Sequence, residues 1–131
     1  SVKPTAMNQH TISRISISLL AIVLIIFGFY HFIYPQTLIG YLPSFLPSGN
    51  IWIYIPGVAF ILAGIAFIIN RQVRLAGYLL AILLLIFVLT IHLPNLINAS
   101  STENMQGALI SLLKDTAIAA FALHIAANAK N

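Results

Sequence analysis

Residues 51–93 read IWIYIPGVAFILAGIAFIINRQVRLAGYLLAILLLIFVLTIHL. Two apolar runs, Ile51–Ile69 and Leu75–Leu93, are separated only by a short turn carrying Arg71 and Arg74. A helix needs about 20 apolar residues to cross the hydrocarbon core of a bilayer, so each run is of spanning length. A connection this short returns the chain antiparallel beside the helix it has just left. The stretch predicts a transmembrane helical hairpin, and the rest of the fold follows outward from it.

Upstream, Ile15 to Phe32 runs without a charge, with Arg14 at its entry and Pro35 beyond its end. A proline ring disfavours helical geometry in the residue before it, which places a first span at about 14–34. The hairpin supplies spans at 51–69 and about 75–93, the latter stopped by Pro94. An alanine-rich run at about 107–127 makes the fourth, and Lys130 follows it. The expected fold is therefore all-α, a single integral membrane four-helix bundle with antiparallel up-down topology over residues 1–131. With 60% of residues hydrophobic and 6% charged, a water-soluble single-core domain is the poorer description.

Orientation follows from the basic residues, because cytoplasmic loops carry the excess of Lys and Arg. Lys3, Arg14, Arg71, Arg74 and Lys130 sort to one side, while the 35–50 and 95–106 loops hold neither residue. Both termini are expected in the cytoplasm, residues 1–11 as a short polar tail without the small-residue cleavage site of a signal peptide. The net charge of +4 is thus a matter of topology. The basic residues make no patch or stripe of the kind that binds nucleic acid. Cysteine is absent, which excludes disulfides, thiolate metal sites and thiol relay chemistry.

Residues 35–50 are uncharged, rich in large apolar side chains, and broken by Pro43, Pro47, Gly40 and Gly49. This segment is too broken to span and is expected to lie in the interface or fold over the mouth of the bundle as a lid. Tyr41, Phe45 and Trp52 then sit at headgroup level. In the second span Pro56, Ala59, Ala63 and Ala66 recur at helical spacing and form a ridge for close helix approach.

The chemistry is concentrated in the fourth span, where Lys114 and Asp115 stand side by side. A charge at membrane depth costs a few kcal/mol on insertion scales and is normally turned toward protein and paired. Adjacent helical residues point about 100° apart, so the pair is expected to find separate solutions. Asp115 shares a stripe with Ala108, Ser111, Ala119, Ala122, Ala126 and Ala129, which turns it into the bundle. Lys114 lies on a bulkier stripe with Ile110, Ile118 and Phe121 and is expected to snorkel to the outer headgroups. His31 and His92 lie near the outer ends of the first and third spans, and side chains lean toward a helix N-terminus. The two histidines and Asp115 should therefore converge at similar depth. The ordinary alternative is that the histidines are interfacial residues and that an Asp–His contact merely locks the bundle.

Several features together resemble the DoxX-like family. They are His31-Phe32 before Pro35, Leu42-Pro43 and Leu46-Pro47, Trp52 and Gly57 opening the second span, His92-Leu93-Pro94-Asn95, and Lys114-Asp115 before an alanine-rich helix. The resemblance covers about Arg14 to Ala127. It implies a small multi-pass protein of the bacterial cytoplasmic membrane, in a family that includes a subunit of thiosulfate:quinone oxidoreductase and partners in thiol-oxidation complexes.

The expected function is a membrane subunit, not a stand-alone enzyme, that binds quinone or another lipophilic molecule near the outer face. His31, His92 and Asp115 would handle ligand or protons, supported by Lys114, Tyr34 and Trp52, with no metal. The alternative is a structural or assembly subunit of a larger membrane complex or homo-oligomer. Bis-histidine haem ligation by His31 and His92 is a distant third.

Overall fold

The computed structural model describes residues 8–47 and 49–131. Lys3 and most of the expected N-terminal tail, together with Ser48 of the expected lid, lie outside the described residues. The chain forms α1 (Gln9–Ile33), α2 (Pro35–Ile39), α3 (Ile51–Ile69), α4 (Val73–Phe87), a π turn (Val88–His92), α5 (Leu93–Ile97) and α6 (Thr102–Asn128). Helix α4, the π turn and α5 run on as one span, so four helices are long and apolar enough to cross a membrane. Large apolar side chains cover their outer faces, Leu19, Ile26, Leu62, Leu79 and Ile110 among them. Such a surface suits lipid and not water, and the chain is a multi-pass membrane protein.

The helices pack as two close pairs, α1 on α3 and α4 on α6, joined mainly through α3 and α4, while α1 and α6 scarcely touch. Glycines set the close pairs. A Cβ placed on Gly64 would lie 2.6 Å from Ile25 Cγ1 and 2.8 Å from the Ala21 carbonyl oxygen. One on Gly77 would lie 2.8 Å from Ala126 Cβ and 2.9 Å from the Ala122 carbonyl oxygen. Small residues let backbones approach and gain dispersion contacts where the surrounding lipid supplies no hydrophobic drive between helices. The α1 face of α3 uses Gly57 and Gly64, whereas the expected ridge residues Ala59 and Ala66 border a groove shared with α4. On α6 the buried positions are Asp115, Ala119, Ala122, Ile125 and Ala126. Leu20, Leu24, Phe60, Phe67, Leu80 and Leu84 complete a core drawn from all four spans.

Three boundaries differ from expectation, each for a local reason. Helix α1 starts at Gln9 and not near Arg14, because Asn8 Oδ1 accepts the Thr11 N–H at 2.7 Å and caps it. Helix α6 starts at Thr102, since Ser101 Oγ accepts the Asn104 N–H at 3.1 Å and Glu103 sits in the first turn, where an anion complements the helix dipole. The polar stretch 95–106 is thus mostly helical. The third span does not stop at Pro94. The Leu93 N–H reaches back to the Val88 carbonyl, and this widened turn lets the helix continue through Pro94 to Ile97.

At the opposite end the turn after α3 is tight, with Asn70 and Gln72 both left-handed at φ 58° and 54°. Arg14 donates to the Phe67 carbonyl at 2.8 Å and Arg74 to the Ala129 carbonyl at 2.7 Å. Each guanidinium satisfies carbonyls that a helix C-terminus leaves open.

Candidate functional site: a cavity beneath the 35–50 segment

A cavity of about 320 Å³ opens among α1, α3, α4, the π turn and α6. Its walls are mainly apolar, from Phe27, Ile53, Phe60, Leu84, Phe87 and Ile91. Thr37, Leu38, Tyr41 and Leu42 close one side, so the 35–50 segment forms part of the wall. Asn95 Nδ2 donates to the Tyr41 carbonyl at 2.9 Å, tying that segment to α5. Trp52 and Tyr30 stand at the rim, each a little over one-third exposed.

His31, His92 and Asp115 all line this cavity. His92 Nε2 donates to Asp115 Oδ2 at 2.7 Å. The π turn aims His92 across to α6, and π turns interrupt α-helices disproportionately at functional positions. Asp115 is buried at 7% exposure, so its carboxylate requires such a partner. His31 takes no part in the pair. Its Nδ1 donates to the Phe27 carbonyl at 2.7 Å, leaving Nε2 as the acceptor of a neutral ring. Among the described residues no fully buried polar side-chain atom lacks a hydrogen-bond partner, so this unpaired Nε2 is open to the cavity. The ring is held edge-on by Phe27 and Phe60, with centroids at 4.6 and 5.3 Å.

Lys114 corrects the expectation most clearly. Its Nζ does not leave for the headgroups but lies 3.3 Å from Asp115 Oδ1 and 5.5 Å from the centre of the Phe27 ring. The reason is reach: the flexible four-carbon stem folds back onto the adjacent carboxylate, which supplies the counter-charge. Both oxygens of Asp115 are engaged, and the polar corner of the cavity is the chain Lys114–Asp115–His92.

Tyr34 is the other correction. Its ring packs tilted against that of Tyr30 with centroids at 5.0 Å, and the residue is 53% exposed and does not line the cavity. Phe27 is the residue that sequence reasoning passed over. Lying one helical turn before His31, it accepts from that histidine, shapes it with its ring and underlies Lys114. Only its spacing from His31 signalled it. Among the described residues no group of three His, Cys, Asp or Glu side chains is placed to hold a metal ion.

A family model described as a domain of unknown function, DUF8561, matches residues 20–128. The chain belongs to this family. No curated protein and no solved structure matches it. The DUF8561 match runs from Leu20 to Asn128 and so includes every residue that lines the cavity, from Phe27 to Asp115.

Proposed function

We propose that this DUF8561 protein is a small subunit of the bacterial cytoplasmic membrane, of the DoxX-like kind, that binds quinone or another lipophilic small molecule in the cavity beneath residues 35–50. Its helices run antiparallel, up and down, with both termini cytoplasmic. The observation that carries the reading is the pairing of a largely apolar cavity of about 320 Å³ with a few polar groups, the chain Lys114–Asp115–His92 and the ring of His31. Small-molecule sites have this composition, apolar walls with a few convergent polar groups.

The polar groups suit both redox states of a quinone. Lys114 Nζ is a donor for a quinone carbonyl, and the free Nε2 of His31 is an acceptor for a quinol hydroxyl. The His92–Asp115 pair balances the lysine charge and offers a titratable route for protons at membrane depth. Haem ligation gains no support, because His92 Nε2, the nitrogen that would face an iron, is held by Asp115.

The structural reading keeps one observation in its favour. The His92–Asp115 contact closes directly, at 2.7 Å, and locks α6 to the π turn without any ligand. The quinone content of protein extracted from native membranes separates the two. An Asp115→Asn variant that remains folded is expected to lose most of its co-purifying quinone. Unchanged quinone content, with elution only as part of a larger complex, would favour the assembly role.

A further inference from the structure

A second cavity, of about 390 Å³, lies at the other end of the molecule between the start of α1 and the end of α6. On α1 the core residues Leu20, Ala21 and Leu24 separate its lining from that of the first cavity. His10, Arg14, His124 and Lys130 all line it. The only two acidic side chains of the chain, Glu103 and Asp115, lie elsewhere. Beneath these groups the floor is apolar, from Ile17, Phe121 and Ile125.

The donors are partly committed in a way that leaves capacity. Arg14 bonds the Phe67 and Ile68 carbonyls and Asn70 Oδ1, but a guanidinium carries five donors. Asn128 Nδ2 donates to the His124 carbonyl at 2.8 Å and lies 3.4 Å from His124 Nδ1, which leaves the Nε2 edge of the ring for a ligand. The Asn131 main-chain oxygen, from a residue that also borders the cavity, is taken up by the Arg74 N–H at 2.8 Å. Excess donors and positive charge thus stand above an apolar floor, at the ends of membrane-spanning helices where headgroups lie.

We propose that this cavity binds an anionic phospholipid. Its phosphodiester is held by Arg14, His124 and Lys130, and the first methylenes of an acyl chain rest on Ile17 and Phe121. Basic pockets between transmembrane helices recognise anionic headgroups in this manner. A zwitterionic lipid brings an ammonium group that finds no carboxylate side chain in the cavity, so charge selects the anionic class.

The test uses the full chain in nonionic detergent, with binding of phosphatidylglycerol and phosphatidylcholine measured by native mass spectrometry. Phosphatidylglycerol is expected to bind at least about fivefold more tightly. Lys130→Gln should remove about fivefold of that preference, the effect of one cation near a headgroup. Lys130 is exposed and lies past the last turn of α6, so this substitution leaves the fold intact. Arg71→Gln, an exposed cation on the same end but outside the cavity, should leave the preference unchanged. Equal binding of the two lipids, or equal losses in Lys130→Gln and Arg71→Gln, would overturn the proposal. So would displacement of phosphatidylglycerol by millimolar inorganic phosphate, which would make the cavity a free-phosphate site.

Discussion

Replacing Gly64 by leucine is expected to separate α1 from α3 and to cost about 3 kcal/mol or more, at the upper end of what overpacking does. The first added carbon already meets Ile25 Cγ1 at 2.6 Å and the Ala21 carbonyl oxygen at 2.8 Å. The isoleucine can change rotamer, but the carbonyl belongs to the α1 backbone and cannot yield without moving the helix. Even Gly64→Ala should lower the midpoint of thermal unfolding in detergent. Gly107 is the control, because a Cβ there meets nothing within 4 Å. Gly107→Ala should be neutral or stabilising by up to about 1 kcal/mol, from helix propensity alone. Equal effects at the two positions would contradict close packing through Gly64.

The second large effect is expected at Asp115. Truncation to alanine leaves His92 without its charge-assisted bond and Lys114 without a counter-ion, and should cost about 2–3 kcal/mol. Lys114 itself is half exposed, with a side-chain accessibility of 51% against 9% for Asp115. Lys114→Met should therefore cost less than about 1 kcal/mol, in keeping with partly exposed ion pairs. Asp115→Asn, which keeps the shape and one hydrogen bond, should fall between them. A double-mutant cycle of Asp115→Ala with His92→Ala checks the contact directly, because coupled partners give non-additive losses. Additive losses would mean that the 2.7 Å contact does not form in the membrane.

The span count and the buried face of α6 were legible because both rest on periodicity. Long apolar runs set the spans, and stepping by three and four from Asp115 picks out Ala119, Ala122 and Ala126, all buried. The nearness of His31, His92 and Asp115 followed from side-chain lean along helices. What escaped depended on local hydrogen bonding or on reach. The Ser101 cap begins α6 within a polar stretch that has no apolar rhythm, so the start of this helix was placed too late. The π turn at Val88–His92 has no residue pattern of its own, so Pro94 read as a stop. The 100° rule describes where adjacent side chains leave the helix, and a four-carbon stem is long enough to defeat it, as Lys114 does. Tyr34 was misjudged because α1 ends at Ile33, and the non-helical backbone of Tyr34, φ −126° and ψ 54°, turns it away from the face that carries His31.

The cavity contains its own reporter, because Trp52, the one tryptophan of the chain, stands at the rim. The most direct measurement is Trp52 emission in lipid nanodiscs during titration with a short-chain quinone. A bound quinone beside the indole should give saturable quenching, and Asp115→Asn, which takes the counter-charge from Lys114, or a cavity-filling Ser111→Leu should shift the midpoint at least about tenfold, about 1.4 kcal/mol. Quenching that rises linearly with quinone and is the same in all three proteins would mean that quinone meets Trp52 only from the bilayer, and would contradict a ligand site in the cavity.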